Sequence, residues 1–312
     1  MAAKSTKSSA KRYDIGTSPL YGIKSKRRLA EILFWAGPPS ALAKFSQEPG
    51  NYSRYTDRRK PEKPRLIEAP QQRLKGFQKR IEELLKRIQM PDYLHSGTPG
   101  RSYLTCSAAH RDSIGCTITM DISDFYPSVS NDRVVRMFIV LFKCARDVAE
   151  ILAQLLCCDG HLATGSPASP LVSFLANKEI FDRIANHALR RGGVFTLYID
   201  DIALTGSGIG TTEIKWITKL LDRADFKIKR TKTRLFLAKR PCLITGRVLQ
   251  NGQSRAPNRQ HQKMKAAIDL MHAFPKDKSI KASAIGRVHH VALLDDARRL
   301  DMRAAAKLLT PN

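Results

Sequence analysis

Two short apolar runs, Val194-Phe-Thr-Leu-Tyr-Ile199 and Ile202-Ala-Leu-Thr205, are separated only by Asp200-Asp201, and no other feature restricts the fold of this chain more. β-Branched and aromatic residues fit extended backbone, so the runs predict neighbouring antiparallel strands with the two acids at or near a tight hairpin tip. A third run, Cys116-Thr-Ile-Thr-Met120, also stops in acid, at Asp121. Acids at strand ends are ordinary turn residues. If the three strands share one sheet, however, their carboxylates meet at one edge of it.

Helical periodicity surrounds these runs. Leu74, Phe77, Ile81, Leu84, Leu85 and Ile88 recur at helical spacing over 72–90, and Pro91 marks a stop. Further helices are expected over 132–158 with one break, over 170–191 up to Gly192-Gly193, and over 211–223. Short strands are expected near 226–229, 234–237 and 242–249. The pattern predicts an α+β fold, helices packed on a largely antiparallel sheet.

The chain carries 54 Lys+Arg against 28 Asp+Glu, a formal net charge of +26 over 312 residues. Such an excess repels itself unless a polyanion neutralises it, which makes nucleic acid the first expected partner and an anionic membrane the second. Apolar runs such as 137–142 fall far short of the roughly 18 residues a membrane span needs. The basic, Ser-rich start MAAKSTKSSAKRYD is not followed by an apolar stretch, so a cytoplasmic protein is expected. Six cysteines without CxxC spacing read as reduced core thiols. Residues 1–28 hold eight Lys/Arg and one acid, and 251–312 hold twelve basic and five acidic side chains. The expected organisation is a basic N-terminal arm or helical extension over 1–50, a core over 51–250, and a basic helical subdomain with one cationic face over 251–312.

In so basic a chain, the placement of the acids carries the chemical information. Asp121 and Asp200 at adjacent strand ends suit two Mg²⁺ ions about 3.5–4 Å apart, an arrangement that stabilises attacking and leaving oxygens in phosphoryl transfer. Their hard oxygen ligands would accept Mn²⁺ as a substitute.

Tyr198-Ile199-Asp200-Asp201 resembles the YxDD motif of reverse transcriptases. Met120-Asp121-Ile-Ser-Asp124-Phe125-Tyr126-Pro127-Ser128 resembles that family's first catalytic motif, and Thr164-Gly165-Ser166-Pro167-Ala168-Ser169-Pro170 its [QP]G-x-P-x-S-P segment. Lys63-Pro-Arg65-Leu-Ile-Glu-Ala-Pro70 is similar to the fingers segment K-x-R-x-I-x-x-P. Phe226-Lys-Ile-Lys229-Arg-Thr-Lys232-Thr233 is similar to the downstream [LF]-x-I-N-x-x-K-T motif. The resemblance covers roughly 50–250. Ile244-Thr245-Gly246 resembles the VTG tripeptide of the retron branch, and Cys106-Ser-Ala-Ala-His110 partly matches a second retron hallmark, N-A-x-x-H. Thr164 replaces the usual Gln, and Ile199 the usual Ala.

The resemblance implies a right-hand polymerase with fingers, an antiparallel palm sheet and a helical thumb, copying RNA into DNA. Asp121, Asp200 and Asp201 would be catalytic and hold the metals, with the Ile122 carbonyl as a further ligand. Nucleotide contacts fall to Lys63, Arg65, Tyr126, Gly165, Pro167 and Lys232. Tyr126 would exclude a 2′-OH, and Lys232 would either serve the leaving pyrophosphate or anchor its motif to the sheet. RNA contacts fall to His110, Arg255, Arg259, Lys263 and Lys265. The implied partners are dNTPs, a cognate noncoding RNA, the branched RNA-linked DNA primed from a guanosine 2′-OH, and, in antiphage defence, a separate effector protein. The alternatives are a group II intron-like, diversity-generating or phage-exclusion reverse transcriptase, and a non-catalytic RNA-binding scaffold.

Overall fold

One antiparallel sheet carries Asp121 and Asp201 on neighbouring strands and Asp200 in the turn just before Asp201 in the computed structural model, which describes residues 12–59, 61–62 and 64–297. The described residues form two compact units, one of those up to 92 with 97–99 and 124–181, the other of 93–96 with 100–123 and those from 182 onwards.

The first unit is mostly helical. Gln72–Lys86 buries Leu74, Ile81, Leu84 and Leu85 along one face. It ends before the expected residue 90 because the backbone at Arg87 and Gln89 bonds to Tyr13 instead, through Tyr13 N–H to Arg87 O at 3.0 Å and Gln89 N–H to Tyr13 O at 2.9 Å. The expected broken helix appears as Asn131–Val140 and Arg146–Leu156. Fully buried Phe138 and Phe142 pack ring to ring, as do Phe174 and Phe181. Tyr52–Asp57 and Arg65–Pro70 pair antiparallel from Tyr52↔Pro70 to Asp57↔Arg65. A miniature hairpin, Cys157–Cys158 with His161–Leu162, turns through Asp159 and Gly160, both at positive φ.

The second unit is built on the strand Cys116–Ser123. On one side it pairs with Asp201–Gly206, from Cys116↔Gly206 to Asp121↔Asp201, and that strand pairs in turn with Gly193–Tyr198. On its other side Arg234–Phe236 and Lys227–Ile228 take successive stretches. The register leaves Ile199-Asp200 as a two-residue turn, with φ of +59° at Ile199 and no positive φ at Asp200, as in a type II′ turn. A β-branched residue in that conformation is strained.

The strand expected over 242–249 is two strands, Cys242–Ile244 and Arg247–Gln250, folded at Thr245-Gly246; Gln253–Arg255 adds a third. A domain boundary at 250 would cut this sheet, so the expected division is corrected here. Helix Asn258–Ala273 packs through Met264 and Ile268 against Val288, Val291, Ala292 and Leu294 of helix Lys278–Leu294, with Ala256, Tyr103 and Leu104 in the same cluster. Buried Arg247 donates to the final carbonyls of the helix Lys278–Leu294, at Leu294 (3.1 Å) and Leu293 (3.4 Å). Those carbonyls have no partner within the helix, so one guanidinium satisfies them and ties helix to sheet.

All six cysteines are free thiols, five of them buried, as expected. Among the described residues, no helix is long and apolar enough to cross a membrane.

Glycine is required where the hairpin strands start and end. A Cβ on Gly206 would lie 2.7 Å from the Gly193 Cα, so the two strands close together only without side chains there. Gly206→Ala is expected to lower unfolding free energy by about 1–3 kcal/mol through overpacking. Urea unfolding checks this, and an unchanged midpoint would show that the packing yields.

Candidate active site

The two-residue turn brings Asp200 and Asp201 to the strand carrying Asp121. Asp121 and Asp201 are direct register partners, and the Ile122 N–H donates to the Asp200 carbonyl at 3.0 Å. One carboxylate oxygen from each aspartate lies within 4.8 Å of the others. Asp121 is 4% exposed; Asp200 and Asp201 are less enclosed.

Close packing of three acids raises the cost of ionising Asp200 and Asp201. Burial first, then the Asp121 charge, pushes the Asp200 carboxyl up, against the pull of Lys229 and Lys232. Asp201 is pushed up to about 7 by burial, then by Asp200 and Asp121. Nearby positive charge offsets part of this: Lys229 Nζ lies 2.9 Å from Asp121 Oδ1, and Lys232 Nζ donates to Oδ2 at 2.5 Å. The 3₁₀ turn Arg230–Lys232 brings these lysines, three residues apart, to one side. Lys232 is thereby tied to Asp121 on the central strand.

The residues present fit divalent ions. Three hard oxygen donors converge, and two ammonium groups already sit against the buried one, so the cluster demands cations. A cleft of about 310 Å³ opens beside it, lined by Thr119, Asp121, Asp201, Lys232, Thr245 and Gly246. Ile244-Thr245-Gly246 therefore reaches the same cleft as the carboxylates. Thr245 fixes the turn by donating to the Tyr103 carbonyl at 2.7 Å.

The first unit gathers other expected residues. Arg65 is exposed at the start of its strand, which Glu68 fastens to the Thr164-Gly165 loop. Glu68 N–H donates to Thr164 Oγ1 (3.0 Å), Thr164 N–H to Glu68 Oε2 (3.1 Å), and Gly165 N–H to the Glu68 carbonyl (3.2 Å). His161 Nε2 lies 2.9 Å from Glu68 Oε1. A Cβ on Gly165 would stand 2.4 Å from the Glu68 carbonyl, so this close approach by itself requires glycine there. Pro167 is half-buried in the same loop, ahead of the helix Ser169–Ala176. Tyr126 is half-buried with its ring 5.9 Å from Phe125. Lys63 lies outside the described residues, as do Lys4, Lys7 and Lys11 of the basic arm.

Two expectations are corrected. His110 is 3% exposed, with Nδ1 bonded to Thr205 Oγ1 (2.9 Å) and Nε2 to Thr196 Oγ1 (2.8 Å), so it braces two strands and has no free edge for RNA. Arg255, Arg259, Lys263 and Lys265 are all exposed but do not form one face. Arg259 and Lys263 share a side of their helix, whereas Lys265 is turned about 200° from Lys263.

Sequence reasoning assigned no role to Lys229 or Glu68. Lys229 carries a signal, its spacing of three from Lys232. Glu68 carries none, because its partner Thr164 lies 96 residues away.

Residues 56–249 match the family model described as reverse transcriptase (RNA-dependent DNA polymerase). Among curated proteins, the retron Se72 reverse transcriptase of Salmonella heidelberg is 30% identical over 183 residues, 56% of this chain and 47% of that protein. The retron Mx65 reverse transcriptase of Myxococcus xanthus is 28% identical over 269 residues, 78% and 60% of the two chains. The retron Ec48 reverse transcriptase of Escherichia coli is 21% identical over 238 residues, 72% and 58%. The matches therefore span about half to three fifths of these relatives.

His110 gives the fold a testable pH dependence. Burial first, then the charge of His95, lowers it from 6.5 to about 3, so it stays neutral in the folded protein. Below pH 6.5 the unfolded chain takes up a proton that the folded chain refuses. This contribution is therefore full above pH 6.5 and is lost towards pH 3, at up to about 1.4 kcal/mol per pH unit. Urea unfolding at pH 7.5 and pH 5 should show the loss, and His110→Gln should flatten it. An equally steep loss in the variant would assign the effect to other groups.

Proposed function

The chain belongs to the reverse transcriptase family, and from that premise we propose that it is an RNA-directed DNA polymerase of the retron type. It would copy part of a cognate noncoding RNA into RNA-linked single-stranded DNA, started from a guanosine 2′-OH, in the cytoplasm and in antiphage defence with a separate effector. The observation that carries the polymerase reading is the convergence of Asp121, Asp200 and Asp201 on a Tyr-Ile-Asp-Asp hairpin, balanced by Lys229 and Lys232. The retron reading is supported by the relatives and by Ile244-Thr245-Gly246 at the carboxylate cleft.

In this mechanism Asp121, Asp200 and Asp201 hold two Mg²⁺ ions, with the Ile122 carbonyl as a further ligand. Bound there, the ions supply Lewis acidity towards the attacking and leaving oxygens. Asp121 orients the cluster because it is buried and held by two lysines. Lys232 is held against Asp121 and carries positive charge at the cleft wall. Arg65, with Lys63, binds the triphosphate as a forked donor. The Glu68 link keeps the strand of Arg65 and the Gly165-Pro167 loop in register, so triphosphate and base pair are positioned by one rigid piece. Tyr126 bars the 2′-OH. Exposed Arg255, Arg259, Lys263 and Lys265 touch RNA phosphates, which makes binding steeply salt-dependent.

Primer extension on an RNA template tests the catalytic assignment. Asp200→Ala with Asp201→Ala is expected to abolish synthesis while RNA affinity stays within about twofold; synthesis retained by the folded variant would contradict it. Tyr126→Ala should raise ribonucleotide incorporation about 10- to 200-fold, the range that one steric clash supplies. Unaltered discrimination would remove Tyr126 from that role. The retron reading is tested on nucleic acid co-purified from the native locus. DNA whose gel mobility shifts after both RNase and debranching treatment is expected, and unlinked RNA alone would point to another branch of the family.

A further inference from the structure

A second cationic surface lies on the helix Thr211–Asp222 and the segment that follows it. Lys215, Lys219, Arg223, Lys227 and Arg230 line one open groove of about 920 Å³, against a single acid, Asp222. All five cations are exposed. Lys215, Lys219 and Arg223 fall four residues apart, so they form a row along one side of the helix and its C-terminal cap. Like charges at this spacing destabilise a helix. Asp222 offsets one of them at most, because it is engaged with Lys227 at 3.3 Å. The row therefore has a standing electrostatic cost that a bound polyanion would remove.

The groove also limits which polyanion fits. Its floor is Ile214, Thr218, Ile228 and Thr233, and among the described residues no aromatic side chain lines it. Trp216 on the same helix is stacked on His187, with ring centroids 4.2 Å apart. Single-strand binders present aromatic platforms to splayed bases, whereas paired RNA is gripped through phosphates and 2′-hydroxyls. A row of cations over a small, non-aromatic floor matches the second mode.

We infer that this groove docks the phosphate backbone of a double-stranded stem of the partner RNA, at a site separate from the carboxylate cleft and from the C-terminal basic residues. The inference rests on the proposed reading only in taking RNA as the polyanion. It identifies an anchor for the structured part of that RNA, read by shape and not by sequence.

The test compares the full-length chain with Lys215→Glu/Lys219→Glu/Arg223→Glu and with the neutral Lys215→Gln/Lys219→Gln/Arg223→Gln, after circular dichroism and thermal melting confirm that both fold. The probes are a fully paired RNA hairpin of arbitrary sequence, an unpaired RNA of equal length, and poly-glutamate. Hairpin affinity at 0.15 M salt is expected to fall about tenfold or more in both variants, with the log–log salt slope shallower by about one unit for each phosphate no longer neutralised. Binding of the unpaired RNA should change much less. Unchanged hairpin affinity, equal losses for both RNAs, or a loss confined to poly-glutamate would each overturn the inference. Primer extension on a short annealed RNA–DNA oligonucleotide should match wild type. If wild type itself does not extend it, the polymerase reading fails while the binding comparison still decides the groove.

Discussion

Mutual repulsion among three carboxylates is the constraint on which the rest of the second unit depends. Two unit charges about 4 Å apart at an effective dielectric constant of about 20 interact by about 4 kcal/mol, so nothing in the acids themselves favours their meeting. Backbone pairing imposes it: Asp121 faces Asp201 across the ladder, and the Asp200 carbonyl is bonded to Ile122 N–H. Lys229 and Lys232 offset part of the repulsion at Asp121, the most buried of the three. Asp201 keeps a raised proton affinity even so. The site is pre-formed, and its electrostatic deficit is of the kind that divalent cations relieve.

Holding that register places demands on the interior of the sheet. The facing glycines 193 and 206 let the two hairpin strands close, and His110 bridges Thr196 and Thr205, itself bonded to Thr117 on the central strand at 2.9 Å. A neutral, fully bonded histidine there satisfies buried hydroxyls without placing a charge inside the sheet. In the first unit, Glu68 holds the Arg65 strand to the Thr164-Gly165 loop. Thr164, which departs from the family's usual glutamine, has a structural task in this link, since its hydroxyl both accepts from Glu68 N–H and donates to the Leu66 carbonyl.

Much of the site was legible in the sequence because its signals are local. Apolar runs rich in β-branched and aromatic residues identify the Gly193–Tyr198 and Asp201–Gly206 hairpin, and the interruption between Asn131–Val140 and Arg146–Leu156 falls inside the segment where one was expected. The elements misread depend on distant partners. Gln72–Lys86 stops early because Tyr13 takes the next backbone groups. The strand at 253–255 crosses an expected boundary because it pairs with 247–250. His110 reads in sequence as part of an incomplete RNA-binding motif, and its burial follows from two threonines 86 and 95 residues away. The family resemblance assigns roles to residues, whereas the lysine pairing of Asp121 and the cation row on Thr211–Asp222 become visible only in three dimensions.

Counting bound Mn²⁺ by electron paramagnetic resonance, on the full chain with an annealed RNA–DNA primer-template and a dNTP, tests the central claim most directly. The account predicts two ions per chain, both lost when Asp200 and Asp201 are replaced by asparagine in a variant that still folds and binds the duplex. The same Mn²⁺ count in that variant, or no Mn²⁺ bound by the wild type, would contradict the claim that these carboxylates are a metal centre.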